Sequence, residues 1–470
     1  MVNRNEAMTN RNIDDIGRSN SITMLTRTGF SFGDFSFNLI WQGTALFLMY
    51  YYTDVVGIAP AVAGTIYLIA MIWDAITDPI IAALADRTRT KWGRYRPWLL
   101  FGALPFAVSY PLAFSSFEAL PVSPVIWALF THILLRTTYT IVGTPFNSLQ
   151  ARLTDDAQER SVIAGFRMVG AALGSIAVII LTPVLVSKFG DAREAEAYFM
   201  AACLSAGFAF IGIMFCFFTM REPKEPTVKE NLPSLWDDIK SIGPIFIKNP
   251  PLIRVFGVIV IGSICLSMFS KNILYYFKYD VGRPELIMWA LFLPVLLFML
   301  MVPIWVWVAG RKSKKTALTI GMTIALFGYL AFFFNPSHST EMIMATILLI
   351  SLGTSSLPVM FWSMLPDTVE YGEAISGIRA EAKTFGFGTF AQKSAIGINA
   401  LILGFLLSSI GFEANEALSE STLLAMKAVM ALVPALGTVL IIGILYGYDL
   451  DQKRHAELKT IIRNRKEAGA

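Results

Sequence analysis

The chain has 470 residues, of which 55% are hydrophobic and only 15% charged, with a mean hydropathy of +0.58. A water-soluble domain carries about 25% charged residues, so this composition excludes a soluble enzyme, a nucleic-acid reader and a secreted disulfide scaffold. The net charge of +4 matters less than where the charges sit.

In chain order, residues 1–29 are polar, carry acids and arginines without an apolar core, and read as a tail rather than a cleavable signal. About twelve apolar runs follow, each close to the roughly 20 residues a helix needs to cross a bilayer. They predict spans over 30–52, 62–86, 98–117, 123–149, 162–187 and 198–219. Residues 220–250, with Pro223, Pro226, Pro233, Pro244, Pro250 and Pro251, read as a linker. Further spans are predicted over 251–277, 287–310, 316–335, 341–366, 383–410 and 424–447, before a tail over 448–470. Unbroken apolar runs argue against a β-barrel, whose strands alternate in polarity. The expected fold is an all-α membrane protein with twelve transmembrane helices in two six-helix bundles, 30–219 and 251–447. Cys203, Cys216 and Cys265 lie inside apolar runs, so neither a disulfide framework nor a zinc spacing is present.

An even number of spans puts both termini on one side, and the bias of Lys and Arg identifies that side. One set of loops holds Arg87, Arg89, Lys91, Arg94 and Arg96, then Arg311, Lys312, Lys314 and Lys315. The opposite loops hold Lys188, Arg193, Lys278 and Arg283. Both termini are therefore expected in the cytoplasm. The two basic turns follow the second span of each half, which suggests a duplicated plan with a substrate site at mid-membrane between the repeats.

An ionisable group at the bilayer centre costs about 2.5–3.5 kcal/mol on insertion scales, so the acids inside spans are informative. Asp74 and Asp78 share one helix face, one turn apart, with Thr77 beside them. Two carboxylates this close repel each other and attract a proton or a hard cation. A coupling-ion site is the favoured reading, against a structural ion pair with a basic neighbour. On the first span Asp34, Asn38 and Gln42 form a polar stripe, of which Asn38 and Gln42 reach depths like those of Asp78 and Asp74. It is expected to face a cavity, the alternative being interhelical hydrogen bonding. The basic residues within spans are Arg136, Arg167, Arg254, Lys271, Lys393 and Lys427. Arg254 sits near an end and can snorkel, Arg167 and Lys393 are candidates for a common central space or for pairing with Asp74 or Asp78, and Arg136, Lys271 and Lys427 receive no assignment. The glycines of the eleventh span, Gly386, Gly388, Gly397 and Gly404, are expected at close helix contacts, and Trp41, Tyr139 and Trp362 could stack on a sugar ring.

Four stretches resemble the glycoside–pentoside–hexuronide:cation symporters of the major facilitator superfamily. They are Tyr50-Tyr51-Tyr52-Thr53-Asp54, Trp73-Asp74-Ala75-Ile76-Thr77-Asp78-Pro79, Trp92-Gly93-Arg94-Tyr95-Arg96-Pro97-Trp98, and Pro366-Asp367-Thr368-Val369-Glu370-Tyr371-Gly372-Glu373 continuing to Gly377-Ile378-Arg379-Ala380-Glu381. The resemblance implies a cation site of Asp74 and Asp78 with Thr140 as a further oxygen ligand and Thr77 alongside. It also maps Arg167 and Lys393 onto cavity-lining basic positions, and with the stripe residues Asn38 and Gln42, the aromatic Trp362 and Asn147 these are the expected substrate-binding residues. Arg94, Arg96, Asp367, Glu370, Glu373 and Arg379 would form a cytoplasmic gate or charge network. The melibiose-type carriers place a carboxylate where this chain has Asn38, another where it has Gly143, and a Trp where it has Asn147. With those acids missing and Arg167 and Lys393 kept, spare positive charge favours an anionic sugar, a hexuronide, glucuronide or sulfonated sugar. Thr77 stands where sodium-using relatives have Asn, which tilts the coupling ion toward H⁺ over Na⁺. The expected protein is thus a cation-coupled sugar symporter, with no cofactor beyond the coupling ion. It is expected to act as a monomer in the bacterial inner membrane, with the bilayer, the sugar and the cation as its partners and no nucleic acid. The rivals are a neutral pentoside or glycoside symporter, a lysolipid-type amphiphile carrier, and a sensor without transport, for which no soluble domain is present. An enzyme is the least favoured reading.

Overall fold

A computed structural model of the chain describes residues 23–115, 122–153, 157–189, 193–222, 249–335, 339–377, 380–450 and 452–468. Residues 1–22, most of the expected linker (223–248) and Arg379 lie outside the described residues. The described chain is all-α. Its helices are α1 (Met24–Tyr50), α2 (Pro60–Arg87), α3 (Arg96–Ala113), α4 (Pro124–Leu153), α5 (Ala157–Phe189) and α6 (Glu194–Thr219), then α7 (Pro250–Tyr275), α8 (Ile287–Arg311) and α9 (Lys314–Phe334). The tenth, α10, is broken at Ser355 into Thr340–Thr354 and Ser356–Ser376, and α11 (Glu381–Ser409), α12 (Glu420–Tyr446) and α13 (Gln452–Ala468) complete the chain.

Twelve of these correspond to the twelve apolar runs. Among the described residues ten helical stretches are long and apolar enough to cross a membrane. The other two are α1, which carries the polar stripe, and α3, 18 residues long and interrupted by Pro105 and Pro111. Both are held in the bundle by packing, α1 against α5 and α6, α3 against α4 and α6.

The helices outlast their apolar runs where caps hold them. Thr23 accepts from the backbone N–H of Thr26 at 3.3 Å, so α1 starts at Met24 rather than at residue 30. Ser419 likewise caps α12, which begins at Glu420 rather than 424. A capping side chain satisfies a helix N–H that would otherwise lack a partner. The expected tail 448–470 requires a larger correction. Residues 452–468 form α13, whose Arg465 donates to the carbonyls of Glu373 and Ala374, both at 3.0 Å, at the end of α10. Its mean polarity hid it from a search for apolar runs, yet Leu458 is buried.

The end where α1 starts and α12 finishes is called basal here, and the opposite end distal. At the distal end α2 and α11 run in backbone contact. A Cβ on Gly64 would strike the carbonyl of Ala400, and one on Gly404 the carbonyl of Pro60. Small residues of this kind let membrane helices approach closely.

The distal ends of α1 and α7 are built alike. Each passes into one π-helical turn, Tyr51–Val55 and Tyr276–Asp280. Each turn closes through matching bonds, Val56 N–H to Tyr51 at 3.0 Å and Val281 N–H to Tyr276 at 3.1 Å. A glycine then reverses the chain with positive φ, Gly57 at 78° and Gly282 at 68°. Only glycine takes that conformation without steric penalty.

Candidate functional site

Asp74 is fully buried, and Asp78, one turn nearer the basal end, keeps about a quarter of its side chain exposed (26%). Pro79 follows directly and lacks the N–H that would bond the carbonyl of Ala75, loosening the helix between the two acids. The Oδ1 atoms of both carboxylates converge on the hydroxyl of Thr140 from α4, at 2.8 and 3.0 Å. Thr144, one turn on, reaches Asp78 Oδ1 at 3.5 Å. The Oδ2 atoms face the ammonium group of Lys393 on α11, at 2.8 Å from Asp74 and 2.5 Å from Asp78. Only Asp78 receives that ammonium as a directed hydrogen bond; Asp74 Oδ2 lies close to it and is otherwise without a hydrogen-bond partner. Two negative charges thus share one positive charge in a buried, oxygen-rich setting.

Of the residues expected around the cation, Thr140 bonds both carboxylates, whereas Thr77 bonds its own backbone. The Thr77 hydroxyl turns back to its own helix, donating to the carbonyls of Trp73 at 2.9 Å and Asp74 at 3.1 Å. Thr144 was not anticipated; its position one turn from Thr140 was the available signal.

Arg167 and Lys393, expected in one central space, occupy separate clusters. Arg167 forms a two-pronged ion pair with Asp34 of α1 and donates to Gln150 and, at 2.7 Å, to Asn147, both on α4. A cleft of about 260 Å³ lined by Asp34, Gln150, Ala164 and Arg167 opens beside them. The guanidinium is therefore already neutralised, and Asn147 belongs with it. Asn38 donates to the carbonyl of Asp34 on its own helix at 2.9 Å, and Gln42 is half-buried. Trp362 stacks on Phe385 with ring centres 6.3 Å apart and planes 10° apart. Trp41 and Tyr139 pack together at 5.5 Å, and Lys393 lies 5.9 Å from the Tyr139 ring centre.

Among the described residues, the basal charges expected to form one network include two clusters. In the first, the backbone N–H groups of Arg94 and Tyr95 donate to Glu222, at 2.8 and 3.0 Å, and Arg96 donates to the carbonyl of Phe217 at 2.9 Å. Tyr95 donates to Asp86 at 2.5 Å, and burial together with that bond pushes its phenol up to about 12. In the second, Lys314 holds Asp367 at 2.8 Å, and His455 of α13 lies 2.5 Å from Glu370 and 3.5 Å from Asp367. Glu373 supplies its carbonyl to Arg465.

The distal end holds a junction that sequence reading missed. Asp54, in the π-helical turn of α1, has a fully buried side chain. It accepts from Tyr279, from Lys278 at 3.1 Å and from Thr53 at 2.7 Å. Thr53 meets the Tyr275 hydroxyl at 2.8 Å, and Asn415 donates to the Asp54 carbonyl at 2.8 Å. The available signal was the likeness of Tyr50-Tyr51-Tyr52-Thr53-Asp54 to Tyr275-Tyr276-Phe277-Lys278-Tyr279, which places an acid opposite a base and a phenol.

Residues 29–452 match the family described as MFS/sugar transport protein. The isoprimeverose transporter of Lactiplantibacillus pentosus is 31% identical over 438 residues, covering 92% of this chain and 90% of that protein. The glucuronide carrier protein homolog of Escherichia coli is 28% identical, covering 94% and 96%. Among solved structures, the D-xylose-proton symporter superposes with a TM-score of 0.64 at 13% identity, covering 92% of this chain and 98% of that one. That last likeness concerns the fold.

Proposed function

The chain belongs to the MFS/sugar transport protein family, and from that premise we propose that it is a cation-coupled sugar symporter working by alternating access. The observation that carries the reading is the sharing of Asp74 and Asp78 by a single ammonium group that comes from the other half of the molecule. A proton or Na⁺ at the converging carboxylate oxygens competes with Lys393 for the same negative charge. Its binding loosens the tie between α2 and α11 and frees a donor for a sugar hydroxyl. The sugar then favours the cation-loaded state, and by linkage each ligand raises the affinity for the other. Arg167 stands apart from this step because Asp34 already holds it.

The halves are joined at the distal end by Asp54 with Lys278 and Tyr279 and by the α2–α11 contact. With the termini in the cytoplasm, the orientation the loop charges favour, the joined distal end faces outward and this conformation is closed on that side.

The sugar we propose is anionic, of the hexuronide or sulfonated class, with a neutral glycoside as the second reading. A relative named for glucuronide supports the first, and one named for isoprimeverose keeps the second in play. Proteoliposome uptake under separate Na⁺ and H⁺ gradients, with a uronide, a neutral glycoside and a sulfosugar, tests both parts. Gradient-dependent accumulation of at least one sugar is expected. Uptake that only equilibrates, under either gradient, defeats the symporter reading.

A further inference from the structure

Three buried cationic or potentially cationic side chains, Arg136, Lys271 and His132, lie just distal to the carboxylate pair. Arg136 on α4 is 3% exposed and Lys271 on α7 is 1% exposed. Both lie against the ring of Tyr67, with the guanidinium carbon 6.0 Å and the ammonium nitrogen 4.1 Å from its centre. Arg136 also lies 5.0 Å from the Trp41 ring centre and donates through Nε to His132 Nε2 at 3.4 Å. Lys271 donates to the carbonyl of Ala45 at 2.6 Å. Among the described residues no carboxylate is within ion-pair reach of either cation.

The electrostatic contrast with the rest of the interior is sharp. Asp34 answers Arg167, and Asp74 and Asp78 answer Lys393 with one negative charge to spare. Among the described residues Arg136 and Lys271 meet aromatic faces, a ring nitrogen, one backbone carbonyl and, for Lys271, the Tyr67 hydroxyl, with no carboxylate. Cation–π contacts offset part of the burial cost but do not supply a counter-charge. Accepting from Arg136 at Nε2 puts the His132 proton on Nδ1, and that Nδ1 is buried with no hydrogen-bond partner. Two cations without an anion therefore lie side by side against Tyr67, with an unsatisfied ring N–H on the neighbouring His132. Once a cation neutralises the spare charge at Asp74 and Asp78, the interior is more positive still.

We propose that Arg136 and Lys271, with the His132 Nδ1–H beside them, form the subsite for the carboxylate or sulfonate of the transported sugar. The inference rests on the symporter reading and moves the anion-binding role away from Arg167 and Lys393. The sugar ring lies against Trp41 and Tyr139, whose packed rings separate this cluster from Lys393. The guanidinium can take two anion oxygens with parallel bonds. Lys271 exchanges the Ala45 carbonyl for the anion, which loosens a tie between α7 and α1. Coupling-ion binding comes first, because it removes the negative charge that would repel the anion.

Binding of methyl β-D-glucuronide and of uncharged methyl β-D-glucoside to the purified full chain at saturating cation separates the outcomes. Wild type is expected to favour the glucuronide at least about tenfold. Arg136→Gln and Lys271→Gln are each expected to weaken glucuronide binding roughly 10- to 100-fold and to change glucoside binding less than about threefold. Arg136→Lys, which keeps the charge without the fork, recovers part of the loss and serves if the Gln variant fails to fold. Equal losses for both sugars would mean a structural tie and overturn the subsite, as would equal wild-type affinities. Transport of the glucoside alone by wild type removes the subsite and leaves the symporter standing. Gradient-independent equilibration of both sugars removes the symporter reading and the subsite with it.

Discussion

Lys393 on α11 reaches Asp78 on α2 at 2.5 Å, with Asp74 also within 2.8 Å of the same ammonium nitrogen. The two acids are thus held from the other half of the molecule by one shared ammonium group.

Asp74→Asn and Asp78→Asn each remove one negative charge and leave Lys393 with a single partner. Concentrative uptake is expected to fall at least about tenfold, while gradient-independent exchange of sugar survives in one or both variants and folding is largely retained. Full accumulation by both, in matched proteoliposomes, contradicts the cation-site assignment.

Lys393→Met takes away the competing ammonium and leaves two carboxylates unneutralised. Removing one partner from a buried ion pair costs about 3–5 kcal/mol when the remaining charge stays uncompensated, and a bound cation is the available remedy. Cation affinity is expected to rise roughly tenfold or more, with loss of sugar-coupled uptake. Titration of intrinsic fluorescence with Na⁺ and with pH reads the first effect; unchanged or weaker cation binding would count against competition between ammonium and ion.

Asp54→Asn weakens the distal junction by removing the charge that Lys278 faces and Tyr279 bonds. The population open at the distal end is expected to grow. Spin labels at Ala59 and Glu413, in a chain whose exposed Cys203 is replaced, are expected to show a longer distance component in the variant. Identical distance distributions in variant and wild type sink the latch.

Gly404→Val brings side-chain atoms onto the Pro60 carbonyl, and its Cβ alone already has no room there. The closed distal seam is expected to lose about 1–3 kcal/mol, the usual cost of overpacking. Reduced uptake and the same long distance component as in Asp54→Asn should appear together. A variant with wild-type uptake and the short distance alone means that the seam tolerates separation at this point.

Much of the fold was legible because membrane crossing imposes a length and a composition that a single chain displays openly. The same criterion missed α13, since a polar helix that docks by Arg465 and His455 leaves no apolar run. At the site, the spacing of Asp74 and Asp78 was enough to put both on one face, and the resemblance supplied Thr140. Pairing with Asp74 or Asp78 was among the readings for Arg167 and Lys393, but which of the two would make it was not legible. Arg167 and Lys393 are both basic and at comparable depth, and only the rotation of α5 and α11 sends one to Asp34 and the other to the acid pair. The rotamer of Thr77 was not legible either: a hydroxyl in a helix can donate to the preceding turn, and here it does.

The twin distal turns of α1 and α7 carry a last implication. Had both copies kept one sequence, acid would confront acid, or ammonium would confront ammonium, wherever the two meet. The present pairing is heterotypic, with Asp54 in one copy and Lys278 and Tyr279 in the other. Their recognition therefore has a polarity that can be inverted. Exchanging the charges, Asp54→Lys together with Lys278→Asp, should restore a clasp that either change alone would break.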